Sequence, residues 1–244
     1  MVRIHYKDDR QIKRENDVRE LKTLPNVLWI DLQSASQEEE EWIENQCDVS
    51  FQTPQEIVEI ESSARFFEQQ DSINANSNFL RLDDDGYHSY PVSFILKGNL
   101  LFTYRRGDSK TFADTVRKMK VGSENLNSGV DLFLLLLETR IETDADLLEG
   151  ISRDITVLSK SLNSTQKTNQ DSLLNINNLQ ETTMMLRETI IDKQRVLSGC
   201  CGVGSTPKIK KNTCALFSKT SARCSSTRPS TSSDSNTFRI RSWA

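Results

Sequence analysis

The sequence predicts an α+β fold, an αβα sandwich-like unit with a mixed, largely antiparallel central sheet and flanking helices, followed by a long antiparallel helical hairpin. Two patterns predict it. Short alternating or apolar runs bounded by turn residues recur through the first hundred or so positions, as strands do. After them, apolar residues recur every three or four positions, as on one face of a long helix.

Val2-Arg3-Ile4-His5-Tyr6 alternates apolar with polar side chains, and Val27-Leu28-Trp29-Ile30-Asp31-Leu32 is an apolar run between Pro25 and the Ser34-Ala35-Ser36 turn. Both read as strands. Ser36 followed by Glu39 has capping-box spacing, so a helix is expected from Gln37 to Gln46 with Trp42, Ile43 and Gln46 facing inward. Thr53-Pro54-Gln55-Glu56 places a cap, a first-turn proline and an acid at the start of a second short helix ending near Glu61.

Ala64–Gln69, Asn78–Leu82, Tyr87–Lys97 and Leu100–Tyr104 then read as strands of an antiparallel meander. Their turns, Asp83-Asp84-Asp85-Gly86 and Lys97-Gly98-Asn99, contain residues that tolerate positive φ. Pro91 has no N–H to give a ladder, which marks its end of the third strand as an edge or a bulge. Thr111–Met119 reads as a helix ended near Gly122.

Leu137, Ile141, Ala145, Leu148, Ile151, Ile155, Leu158 and Leu162 are spaced 4, 4, 3, 3, 4, 3 and 4 apart, one seam of a long helix. A polar link over 163–170 leads to a second seam through Leu179, Thr183, Leu186, Ile190 and Leu197, with Gly199 as its end. Two helices so linked lie antiparallel. The expected division is therefore 1–130, an αβ unit; 131–198, the hairpin; and 199–244, a disordered basic tail rich in Ser and Thr.

Charge sharpens that last boundary. The net charge is −4, but residues 199–244 hold eight Lys/Arg against one acid, leaving 23 bases and 34 acids before them. The body is thus −11 and the tail +7. A reading-frame shift is one account of so abrupt a break, and the DNA in all three frames decides it. The acidic body argues against nucleic acid as a partner, because phosphate binding needs clustered Lys and Arg.

The start has no apolar run of signal-peptide length, which places the chain in the cytosol. The longest apolar run, Leu132–Leu137, is six residues, against about 20 for a membrane-spanning helix. No membrane span is expected.

Enzyme chemistry finds no support. Gly199-Cys200-Cys201-Gly202-Val203-Gly204-Ser205-Thr206 imitates the glycine spacing of a phosphate loop, but it lacks the lysine and follows a helix. His5 and His88 lie on separate strands with no nucleophile motif near either. Four of the five cysteines fall in the tail at spacings that fit neither a zinc ribbon nor a redox pair. Asp83, Asp84 and Asp85 are the candidate metal ligands, since carboxylate oxygens suit magnesium or calcium; they lack the spacing of a complete calcium loop.

The order of these features resembles the cytoplasmic part of the CorA family of magnesium transporters. Val27–Leu32 and the acidic helix after it are similar to that family's early strand and helix. Glu59–Glu68 and Val92–Arg105 resemble its central sheet, and Leu137–Glu142 and Asp192–Leu197 its helical hairpin. The resemblance covers about residues 2–198.

It implies a homopentameric transporter whose cytoplasmic domains sense magnesium. The regulatory ion sits between neighbouring domains, partly on ligands from a stalk helix, and a Gly-Met-Asn signature lies at the pore mouth. This sequence has no Gly-Met-Asn and no membrane-length apolar run. The expectation is a cytoplasmic regulatory domain that does not transport on its own, with magnesium as a regulatory ion and a second copy of itself as partner. The alternative is a soluble scaffold whose hairpin binds partner helices.

Overall fold

The computed structural model describes residues 1–52, 56, 65–69, 71–84, 86–164 and 170–202. Seven strands form one sheet: β1 (Val2–Asp8), β2 (Gln11–Glu15), β3 (Val27–Gln33), β4 (Phe66–Gln69), β5 (Ser72–Asp83), β6 (Gly86–Lys97) and β7 (Leu100–Arg105), in the order β2-β1-β3-β7-β6-β5-β4. Every pairing is antiparallel except β3 with β7. The predicted mixed, largely antiparallel sheet is therefore present.

Fully within the described residues the α-helices are α1 (Gln37–Cys47), α2 (Lys110–Val121), α3 (Gly129–Ser164) and α4 (Gln170–Gly202). Side-chain alternation along the strands decides which helix covers which face. Ile30, Leu32, Ile95 and Phe102 point to one side and bury Ile43 of α1. Trp29, Phe94 and Leu101 point to the other and pack with Phe112 of α2, Phe133 and Leu137 of α3, and Val196, Leu197 and Cys200 of α4. Burying each such apolar side chain contributes about 1.5–3 kcal/mol, so the start of the hairpin shares the core of the sheet.

Local chemistry fixes the ends. In α1 both halves of the capping box form: Ser36 Oγ accepts from Glu39 N–H, and the Glu39 carboxylate accepts from Ser36 N–H. The β5–β6 and β6–β7 hairpins close on two central residues each, with Asp83 opposite Gly86 and Lys97 opposite Leu100. Gly98, at φ 56°, takes the positive-φ position of the second. Pro91 is opposite Asn78, while pairing of β6 with β7 begins only at Val92. Its missing N–H thus faces an edge, as expected.

Several details depart from the sequence reading. β2 was not foreseen, because Ile12 is its one buried residue. β5 begins at Ser72 rather than Asn78 because Asn74, Asn76 and Ser77 are buried polar residues. In α1, Gln46 is exposed and Cys47 takes the inward position. α4 does not end at Gly199 but continues to Gly202. A Cβ at 199 would lie 2.4 Å from the Phe66 ring, so this glycine serves close packing. Cys200, one residue on, is buried in the core. The helix expected over Thr53–Glu61 falls, except for Glu56, outside the described residues, as do Ala64 and residues 203–244.

The hairpin seam changes character along its length. Leu137, Ile141 and Ile151 are buried, whereas Ile155 is 49% exposed and Val157 67%. On the facing helix Leu173 and Leu174 are 52% and 54% exposed. The hairpin is thus seated on the sheet at one end and projects beyond it at the other.

Candidate functional site

Three polar assemblies stand out, and the first is the acidic turn singled out from sequence. Asp83, the last residue of β5, accepts from Arg81 Nε at 2.8 Å and Nη2 at 3.3 Å, and from the Tyr90 hydroxyl. Arg81 also lies over the Tyr90 ring, 3.8 Å from its centroid. Hydrogen bonds from Arg81 and then Tyr90 hold the Asp83 carboxyl below its usual range.

Asp84 is exposed in the turn, and Asp85 lies outside the described residues. Asp83 must exchange its Arg81 and Tyr90 partners before serving an ion. Among the described residues no group of three or more His, Cys, Asp or Glu is placed to hold a metal.

The second assembly joins the hairpin to the sheet. Arg140 of α3 donates from Nε to Asp144 Oδ1 at 2.8 Å and from Nη1 to the Leu80 carbonyl of β5 at 2.8 Å. Its Nη2 also donates to Asp144 Oδ1. Lys193 of α4 sits 3.1 Å from Asp144 Oδ2 and donates to the Thr189 carbonyl at 2.8 Å and the Asn78 carbonyl at 3.2 Å. Arg140, Asp144 and Lys193 are each 2% exposed or less. Burial pushes the Lys193 ammonium down to about 8, a loss only partly offset by Asp144. Next along α4, Asp192 pairs with Arg65 at 3.6 Å and Arg195 at 3.9 Å.

The third assembly lies where β3 meets β7. Asp31 Oδ1 accepts from Thr103 Oγ1 at 2.8 Å and Arg105 Nε at 3.0 Å, while Oδ2 accepts from Arg105 Nη2 at 2.8 Å and Arg3 Nη1 at 3.2 Å. Trp29 Nε1 donates to Thr103 Oγ1 at 2.9 Å, and the Arg105 guanidinium lies over the Phe112 ring of α2. His5 stacks on Trp29 with ring centroids 4.7 Å apart. Both histidines therefore lie in strands, with His5 in a packing role.

Sequence reasoning passed over the second assembly, although periodicity carries its trace. The seam through Leu186 and Ile190 skips to Leu197, and the skipped position is Lys193. On α3, Arg140 and Asp144 continue the 4-3-4 stripe from Phe133 and Leu137 towards Leu148 and Ile151. Charged residues on an apolar stripe are the signal, because such residues are buried only when paired.

One helix on one face of a mixed sheet, with a second helix and a long hairpin on the other, is a fold shared with the soluble part of a cation transporter. Over 92% of its length the chain matches the soluble domain of CorA from Methanocaldococcus jannaschii, covering 90% of that chain, with a TM-score of 0.74 and 14% identity. The complete CorA magnesium transporter of the same organism gives a TM-score of 0.74 at 15% identity, covering 92% of this chain and 71% of that one.

The family model for CorA-like Mg2+ transporter protein matches residues 26–233. A Magnesium transport protein CorA from Wolinella succinogenes is 31% identical over 220 residues, covering 87% of this chain and 68% of that protein. One from Campylobacter jejuni is 32% identical over 199 residues, covering 77% and 61%. This chain belongs to the CorA family of magnesium transporters. It spans about two thirds of the length of these relatives, and the family match runs past the compositional break at Ser198–Gly199.

Proposed function

We infer that this chain provides the cytoplasmic, regulatory part of a CorA-like transporter of magnesium or a related divalent cation. The observation that carries the reading is the hairpin itself: two long helices, seated on the sheet by a shared core and a buried ion cluster, in a chain of a magnesium-transport family. The role is regulation of transport and not catalysis.

The mechanism is electrostatic. A body of net charge −11 repels its own copies, and a cation shared between neighbouring subunits screens that repulsion and favours a closed assembly. Losing the cation frees the subunits to move. No helix among the described residues is long and apolar enough to cross a membrane, which supports the reading that this part does not conduct by itself.

Light scattering of the chain with and without magnesium tests the reading. An oligomer that gains subunits with magnesium, and loses that response when Asp84 and Asp85 are changed to Asn, supports regulation through the turn. A magnesium-dependent oligomer indifferent to those changes moves the ion to another shared site. An assembly state indifferent to magnesium refutes the regulatory role, and magnesium flux into liposomes holding this chain alone refutes the absence of conduction.

A second reading rests on Ile155, Val157, Leu173 and Leu174, whose exposure at the projecting end of the hairpin suits a scaffold that binds partner helices. A magnesium-indifferent chain that captures helical peptides would favour it.

A further inference from the structure

The joint between hairpin and sheet contains more positive charge than a buried site tolerates well. Arg140 and Asp144 reach it from α3, and Lys193 and Asp192 from α4. Arg65, just ahead of β4, faces Asp192. β5 contributes the carbonyls of Leu80 and Asn78 and the ring of Phe79, which lies 5.2 Å from Arg140 and 5.3 Å from Lys193. Arg195, the second neighbour of Asp192 at 3.9 Å, is 46% exposed and screened by water; among the groups shielded from solvent, three cations share two carboxylates when Lys193 is charged. With Lys193 neutral, the charges balance.

The geometry also shows which partner is surplus. Arg140 takes Asp144 Oδ1 through two donors and anchors to β5 through a third, so it completes the link between α3 and the sheet. Asp144 Oδ2 is met by Lys193 alone, at 3.1 Å and out of line for a well-aligned hydrogen bond, so their contact is chiefly an ion pair. The two hydrogen bonds Lys193 does donate go to backbone carbonyls, one on its own helix and one on β5. A neutral amine retains two N–H donors, enough for both carbonyls.

We propose that Lys193 is a proton-operated clamp: uncharged, it lets a balanced Arg140–Asp144 pair hold the hairpin on the sheet, and charged, it loosens that joint. Burial, which lowers the Lys193 proton affinity to about 8 against Asp144's opposing pull, acts in the same sense. A detached hairpin exposes Lys193 to water and restores an ordinary lysine near 10.5. Between about 8 and 10.5 the detached state therefore binds the extra proton, and docking strengthens as pH rises through that window. Below about 8 both states are charged and this dependence vanishes.

The test uses the full chain and Lys193→Met, which keeps an unbranched side chain one atom shorter and removes its charge. Carbon-13 NMR of lysine Cε, with the Lys193 signal identified by its loss in the variant, reads the titration directly. The expected midpoint is near 8. Urea unfolding at pH 7 and 9.5 reads the consequence: the wild-type folding constant rises by roughly tenfold or more from this group, and the variant lacks that rise.

A Lys193 midpoint at or above 10, or an equal pH response in the two proteins, overturns the proposal. Should Lys193→Met fail to fold, Asp144→Asn serves. It removes the one group that raises the Lys193 proton affinity most, so the midpoint must drop further, and an unchanged midpoint is equally fatal.

Discussion

Replacing Asp31 with Ala removes the centre of the β3–β7 joint and leaves the Arg105 guanidinium, itself 3% exposed, with only the exposed Asp108 carboxylate at 3.9 Å as counter-charge. Four hydrogen bonds are lost: two from Arg105, one from Arg3 and one from Thr103. Breaking a buried pair from one side costs about 3–5 kcal/mol, because the remaining charge stays desolvated. That is a large part of the roughly 5–15 kcal/mol that stabilises a domain.

Trp29 bonds to Thr103 in the same network, so urea unfolding followed by tryptophan fluorescence reports on it. The double replacement Asp31→Leu with Arg105→Met removes both charges and fills similar volume. It should recover most of the loss, since buried pairs exchanged for well-packed apolar residues are often neutral. A loss under about 1 kcal/mol for Asp31→Ala, or a double variant as unstable as the sum of the singles, would refute this reasoning.

Other perturbations follow from single features. A Cβ at Gly129 would lie 2.4 Å from Leu101 N and 2.6 Å from Leu100 C, backbone atoms that cannot turn aside, so Gly129→Ala should destabilise by about 1–3 kcal/mol or more in thermal unfolding. At Gly150, inside α3, a Cβ would meet nothing within 4 Å, and Gly150→Ala should stabilise by about 1 kcal/mol through helix propensity alone. Burial pushes His5 down to about 4. Between about 4 and the ordinary 6.5 the unfolded chain binds a proton that the folded chain refuses, so stability falls as pH drops through that window by about 3 kcal/mol. His5→Phe should flatten that part of an acid-unfolding curve.

What the sequence makes legible follows from which forces leave a period in it. The capping box at Ser36 and Glu39, the turn at Gly98 and the edge at Pro91 are local rules, and each is realised as read. The hairpin is legible because its stripe repeats for many turns. The early half of β5 is not, since Asn74, Asn76 and Ser77 are buried by pairing and by bonds such as Asn76 to Gln52 and Ser93 to Asn76. Hydropathy has no sign for a polar side chain whose partner is distant in the chain.

The same blindness hid the polar joints. Arg140, Asp144 and Lys193 look like surface charges until the helices bring positions about fifty apart against one strand. Gly199 read as a helix end because the usual role of glycine is conformational, whereas here it makes room for Phe66.

The strand order carries a consequence for how the chain folds. β1 and β2 zip through a tight reversal, and β4 to β7 form an uninterrupted meander, so each group assembles from near neighbours in sequence. Among the described strand pairings, the parallel one of β3 with β7 joins the two groups, and it brings together Trp29 with Leu101 and Gln33 with Arg105. Closing so large a loop exacts its entropy before any bond repays it. The two halves of the sheet are therefore expected to meet late, with the Asp31–Arg105 pair fastening the central seam between them.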